Sequence, residues 1–259
     1  MRTIVIYPGR FQPCHLGHKS VYDQLVKQFG EGNVFIATSD VQSPATSPFS
    51  FADKLAMWTK LGVPAKSVAL VKNPYQAQEI IRDVPEPDKT ALVFAVGAKD
   101  MSGDEARFKF GTKKDGSPSY MQPYPQDGKL KPLTKHAYVM IAPTVNFKLK
   151  GKDANSATEV RNLYAKGKEN DHEQIIQDLY GMADKNLEDT FDKRLLPANQ
   201  LQKVVNSTKQ QPEKIVPESR AKIARLLTAT MLAEQRVREA YAVITEDLVQ
   251  DPDYIDEKR

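Results

Sequence analysis

At 259 residues, with 40% apolar and 27% charged side chains, the chain is long enough for one large soluble domain or a domain with an appendage. No apolar run approaches the ~20 residues of a membrane span, no secretory-signal pattern opens the chain, and one cysteine cannot close an internal disulfide, which fits a reducing cytoplasm. The net charge of +4 suits anionic small molecules and argues little for nucleic acid as a partner.

Thr3 to Tyr7 is a short run rich in β-branched residues, as in a strand buried on both faces. After the loop Gly9-Arg10-Phe11-Gln12-Pro13-Cys14-His15-Leu16-Gly17-His18, the apolar residues Val21, Tyr22, Leu25, Val26 and Phe29 recur at helical steps, and Gly30 is the expected stop. The decapeptide is therefore a strand-to-helix loop that delivers His15 and His18 to a helix N-terminus. Their spacing of three puts both imidazoles on one face, beside free N–H groups and the positive end of the dipole, where a phosphate lodges well. Gly17, with no side chain, leaves room for a phosphate to approach the backbone.

Asn33 to Ser39 reads as a second strand, which makes the first forty residues a βαβ unit with a right-handed crossover. Such sheets bind ligands at the carboxyl ends of their strands, so Thr38 and Asp40 become candidates for acceptor contact. Val41 to Ser50, with two Ser-Pro pairs, is a loop, and Ser50 is placed to cap a helix that Gly62 ends. Trp58 shares that helix's apolar stripe with Phe51 and Leu55, which reads as core, although an indole also stacks on bases.

Ser67 to Val71 is a third expected strand, Tyr75 to Val84 a helix stopped by Pro85, and Ala91 to Gly97 a fourth strand. Lys99 and Asp100 follow at its carboxyl end, either touching substrate or only opening a loop. Residues 101–135 form an irregular, basic insertion, read as a solvated insertion in preference to a lid. His136 to Ile141 and Val145 to Leu149 are possible further strands. Ser156-Ala157-Thr158-Glu159-Val160-Arg161 has the pattern of a capping box at another helix start. Met182 to Pro217 is polar without a strong period. Ser219 to about Leu248 reads as one helix of roughly 45 Å, with a stripe from Ile223 to Leu248 that packs on the first domain or on a second subunit. A structural zinc site needs about four ligands, and Cys14, His136 and His172 offer little besides the histidine pair, so no metal site is expected.

Gly-Arg-Phe-Gln-Pro-x-His-x-Gly-His resembles the signature of the HIGH-motif nucleotidyltransferases, most closely the archaeal-type nicotinamide-mononucleotide adenylyltransferase branch, with some likeness to phage-encoded members. Ser156 to Arg161 resembles the family's Ser-x-Thr-x-x-Arg. Ser47-Pro48-Phe49-Ser50-Phe51-Ala52-Asp53-Lys54 looks like a degraded Asn-Pro-Phe-Thr-x-x-Glu-Arg, with Ser47, Asp53 and Lys54 as the departures. The resemblance implies an α/β, Rossmann-like parallel sheet over residues 1–181, followed by a mostly helical extension over 182–259. It implies His15, His18 and Arg161 as catalytic residues on the triphosphate, with Gly9, Arg10, Phe11, Gln12, Gly17, Ser156 and Thr158 around the nucleotide. Phe49 and Trp58 join Thr38, Asp40, Lys99 and Asp100 as acceptor-side candidates. The implied reaction transfers a nucleoside monophosphate from ATP or CTP to a phosphorylated small molecule, with ATP and nicotinamide mononucleotide favoured and Mg2+ carried on the triphosphate. The alternatives are a cytidylyltransferase, although Gln12 stands where that branch resembles Gly-x-Phe-Asp, and a catalytically silent nucleotide-binding module that assembles through its C-terminal helix. A class I aminoacyl-tRNA synthetase would be longer and would carry Lys-Met-Ser-Lys-Ser, which this chain lacks.

Overall fold

The computed structural model describes residues 1–102, 106–143, 147–153 and 156–196. They belong to one compact unit, Met1–Leu201, and the helix expected over 219–248 lies outside the described residues. Six of the described strands make one sheet in the order β3-β2-β1-β4-β6-β5, with every neighbour parallel. They are β1 (Arg2–Pro8), β2 (Val34–Thr38), β3 (Val68–Leu70), β4 (Thr90–Val96), β5 (Met121–Pro123) and β6 (Ala137–Ile141). The central strands β1 and β4 pair from Arg2↔Thr90 to Ile6↔Phe94, and every residue of β4 is buried, as an apolar run covered on both faces requires. The chain winds outward from β1 through β2 and β3, then returns to the other side through β4. The crevice beyond the β1 and β4 carboxyl ends is therefore the topological switch point. The Rossmann-like α/β class expected from the sequence is the class observed.

The first helix, α1 (Leu16–Phe29), buries Gly17, Val21, Tyr22 and Leu25 and ends as Gly30, at φ 90°, donates its N–H to Val26. In α2 (Phe51–Lys60) Ser50 and Asp53 cap reciprocally, each side chain accepting from the other's backbone N–H. The helix expected from Tyr75 begins later, as α3 (Gln78–Arg82). Asn73 takes the Tyr75 N–H on its side chain and the Ala77 N–H on its carbonyl, and Ala77 sits at φ 44°, so residues 73–77 are spent on a turn.

Three other expectations change. The insertion is not wholly solvated. Phe108 and Leu133 join the core, and β5 becomes an edge strand on β6, where the Pro123 nitrogen breaks no interior ladder. Val145 to Leu149 does not extend the sheet: residues 144–146 lie outside the described set, and β7 (Lys148–Leu149) pairs antiparallel with β8 (Lys152–Asp153) in a separate hairpin. The polar stretch after Gly181 contains α6 (Lys185–Leu195), beside α4 (Ala157–Lys166) and α5 (Glu169–Tyr180). Its apolar face is little more than Leu187 and Phe191, one turn apart in a highly charged segment, too narrow to register as a period. Ion pairs Arg194–Asp53 (2.8 Å) and Lys60–Asp184 (2.5 Å) tie it to α2.

A buried polar cluster joins the last three helices. Tyr164 donates to Asp192 at 2.7 Å, His172 stacks on Tyr164 at 4.1 Å, and the His172 Nδ1 lies 3.3 Å from the same carboxylate. No helix among the described residues is long and apolar enough to cross a membrane. Phe191 is fully enclosed and touches the rings of Phe49, Tyr164 and Tyr180, so α6 is core to this unit. Phe191→Ala should destabilise it by about 3–5 kcal/mol, seen as a lower urea midpoint with an unchanged slope.

Candidate active site

The loop after β1 is shaped by contacts from α2 and its preceding loop. Phe11 adopts φ 49°, a left-handed conformation costly for a side chain with a Cβ, and the Gln12–Pro13 bond is cis. The Phe11 ring meets Tyr7, His18 and Trp58 edge-on, with centroids 5.1–5.3 Å apart. Gly9 is required beneath it, since a Cβ there would lie 2.7 Å from the ring. The Gln12 side-chain amide pairs both ways with the Phe49 backbone, at 2.8 and 2.9 Å. Lys54, 1% exposed, reaches Thr38 Oγ1 at 2.9 Å and the Ser39 carbonyl at 2.5 Å. Burial pushes its ammonium down to about 8.

His15 is the N-cap of α1, and its Nδ1 accepts the Gly17 N–H at 3.1 Å. A neutral imidazole that accepts at Nδ1 carries its proton on Nε2, and His15 Nε2 has no hydrogen-bond partner among the described residues. The His18 ring is 4.0 Å away, and its buried Nδ1 also lacks a partner among the described residues. Burial holds His15 down to about 2, helped by the neighbouring His18, and holds His18 down to about 4. Burial thus favours the neutral form of both rings, in which each carries one N–H donor.

Ser156 caps α4 by accepting the Glu159 N–H at 3.2 Å, as its pattern predicts. One turn in, Arg161 is 7% exposed and donates to the Gln12 carbonyl (2.7 Å), the Ala45 carbonyl (3.2 Å) and Thr158 Oγ1 (3.2 Å). Burial and then the Arg10 charge push Arg161 below its usual range. A cavity of about 230 Å³ is bordered by Arg10, His18, Ser156, Thr158 and Arg161, and among the described residues no carboxylate lines it. A second, of about 590 Å³, opens at the switch point among Tyr7, Gly9, Tyr75, Lys99, Asp100 and Pro143. Arg10, Phe11 and His18 border both, so the loop after β1 is their common wall.

The structure brings Gly9, Arg10, Phe11, His18, Ser156, Thr158, Arg161, Lys99 and Asp100 to these cavities, whereas His15 borders neither and stands beside His18. Several expected contacts are corrected. Gln12 borders the smaller cavity as expected, but its amide is spent on Phe49 and its carbonyl is held by Arg161. The space left by Gly17 is filled by the His15 ring, 2.9 Å from where a Cβ would be, so it is not open to a phosphate. Thr38, Phe49 and Trp58 are fully buried, under Lys54, against Phe191 and against Phe11 respectively, and so line no acceptor site. Asp40 accepts the Phe51 N–H and borders a separate depression with Lys72 and Glu79. Asp53 caps α2 and pairs with Arg194, so this part of the degraded family element is structural.

Sequence reading missed two aromatic residues. Tyr75 donates to Asp100 at 2.9 Å and lies under the Arg107 guanidinium; as an expected helix residue it gave no sign of facing a cavity. Phe147 stacks on His15 at 4.3 Å and 20°, a contact across 132 positions that no local pattern encodes. Among the described residues, no group of three or more His, Cys, Asp or Glu side chains is placed to hold a metal ion.

A nicotinamide-nucleotide adenylyltransferase of Methanothrix thermoacetophila is 39% identical over 51 residues, 20% of this chain and 30% of that protein. The same enzyme of Methanocorpusculum labreanum is 36% identical over 55 residues, 21% of this chain and 33% of that protein. The chain thus spans about a third of the length of the curated relatives it matches. A bifunctional NMN adenylyltransferase/ADP ribose pyrophosphatase from Francisella tularensis, solved with AMP and a manganese ion, aligns at TM-score 0.44 and 15% identity, over 83% of this chain and 58% of that one, too distant to bear on function. The cytidylyltransferase-like family model matches residues 6–161, from β1 through the loop with both histidines to Arg161, and the chain belongs to that family of nucleotidyltransferases.

Proposed function

We propose that the chain transfers a nucleoside monophosphate from a magnesium-bound nucleoside triphosphate to a phosphorylated small molecule, with ATP and nicotinamide mononucleotide as the favoured pair. The observation that carries this reading is the pair of cavities sharing one wall. The smaller is cationic, lined by no carboxylate among the described residues and flanked by the N-terminus of α4, features that suit a polyphosphate. The larger has the tyrosine rings and the Lys99 cation suited to a phosphorylated ring compound. Arg10 and His18 stand between, where the α-phosphate would meet its attacker. The archaeal relatives, named as nicotinamide-nucleotide adenylyltransferases, favour ATP over CTP.

The acceptor's phosphate oxygen, already ionised at neutral pH, attacks the α-phosphorus, and the bond to the departing pyrophosphate breaks. No proton has to move, so no general base is needed, and catalysis consists of alignment and charge stabilisation. The His18 ring, which borders both cavities, donates to phosphate oxygens as charge shifts toward pyrophosphate, and His15 Nε2–H, beside it at 4.0 Å between ring centroids, joins it where the bound phosphates reach past His18. Arg161 supplies a fixed positive edge to β and γ, its fork pre-set by the two loop carbonyls. Magnesium arrives on the triphosphate, held by phosphates and water.

The test pairs ATP or CTP with nicotinamide mononucleotide or a phosphorylated alcohol in the presence of magnesium, following NAD and pyrophosphate separately. CTP turnover with the alcohol and none with ATP would move the chain to cytidylyl transfer; no pyrophosphate from any pair would leave a nucleotide-binding module. His18→Ala should keep the fold and lower turnover by roughly 10²–10³-fold, checked by circular dichroism alongside pyrophosphate release. Arg161→Lys keeps the charge but loses the fork and its loop carbonyls, so the Michaelis constant for triphosphate should rise about tenfold while turnover falls. The imidazole C2–H resonances of His15 and His18 should not titrate between about pH 5 and 8 in the free protein. Because the unfolded chain binds these protons near pH 6.5 and the folded chain does not, their contribution to stability is present above that pH and lost as pH falls below it, visible in urea midpoints.

A further inference from the structure

We infer that Phe147 is a positioning residue for His15: it clamps the imidazole in the plane in which Nδ1 accepts the Gly17 N–H and Nε2–H is left to donate. The two rings are nearly parallel, 20° apart with centroids at 4.3 Å, and the Phe147 Cβ lies only 3.4 Å from where a Cβ on Gly17 would be. The His15–Gly17 bond, at 3.1 Å, fixes the tautomer but not strongly, since one neutral hydrogen bond contributes about 1 kcal/mol. Offset ring stacking adds a comparable amount, so the two together make the bound rotamer dominant where either alone would leave a mixture.

Phe147 is itself held from a distance. It enters β7, whose Leu149 is 1% exposed, and the β7–β8 hairpin closes through Lys150 and Gly151, at φ 51° and 75°, in a tight two-residue turn. The hairpin is pinned to α5, because the Lys150 backbone N–H donates to Asp178 at 2.6 Å and its ammonium pairs with Asp171 at 2.6 Å. The histidine at the start of α1 is thus oriented by α5 through one hairpin and one ring. Among the described residues, His18 is the titratable group against His15, and no carboxylate contacts its ring.

The test uses the full chain with ¹⁵N-labelled imidazoles, comparing the native protein with Phe147→Ala and Phe147→Tyr. Phe147 is only half-buried, so neither change threatens the fold. Native His15 should show one tautomer, protonated at Nε2, with no titration between about pH 5 and 8. Phe147→Ala should give averaged nitrogen shifts and a titrating ring, and should lower kcat about 10- to 100-fold with a smaller change in the Michaelis constant for triphosphate. Phe147→Tyr, which keeps the stack, should restore both. An unchanged His15 tautomer in Phe147→Ala overturns the inference whatever the kinetics do, and so does failure of Phe147→Tyr to restore it. The kinetic arm rests on the reaction proposed above. Absence of turnover in the native protein would defeat that reaction alone, since the imidazole spectra judge Phe147 without it.

Discussion

A phenylalanine in the left-handed region costs of order 1–3 kcal/mol, and Phe11 is held there because Tyr7, His18 and Trp58 close on its ring from three elements. Other features of the site follow from that one constraint. The reversed backbone at Phe11 requires Gly9 to lack a side chain and leaves Arg10 exposed at the wall between the two cavities. It also brings Gln12 to where its amide fits the Phe49 backbone and its carbonyl meets Arg161. The helix α2 therefore works as a buttress: Trp58 supports the ring and Lys54 supports the end of β2 through Thr38.

The electrostatic design follows from burial rather than from charge count. A net charge of +4 over 259 residues says little, yet Arg10 and Arg161 face one small cavity that no carboxylate among the described residues lines. Burial first, and then the Arg10 guanidinium, push Arg161 below its usual range, and an anion between the two arginines would relieve their mutual repulsion. The histidines take the opposite course. Kept neutral by burial, they offer directed N–H groups without adding to the positive charge.

What the sequence disclosed was local. Strands β1 and β4 are long β-branched or apolar runs, α1 has a clear helical stripe, and Ser50 and Ser156 cap as their patterns say. The histidine loop was legible because ten consecutive residues carry it. The rest depends on distance along the chain. Arg161 meets Gln12 across 149 positions, and Phe147 meets His15 only because a hairpin on α5 brings it there. Trp58 is core, as its stripe predicts, whereas Phe49, an acceptor-side candidate by resemblance alone, is closed over by Phe191 from a helix far along the chain. The helix α6 was hidden by its charges, since two apolar residues suffice when Phe191 fills one site well.

The lone cysteine adds a practical consequence. Cys14 lies between cis-Pro13 and His15, is completely buried, and has its thiol pushed well above the ordinary range by burial. An alkylating reagent attacks only a thiolate it can reach. With no other sulfhydryl in the chain to compete, labelling of the native protein clocks the moments when the histidine loop lifts away from the sheet, and any molecule that settles on that loop will slow the clock.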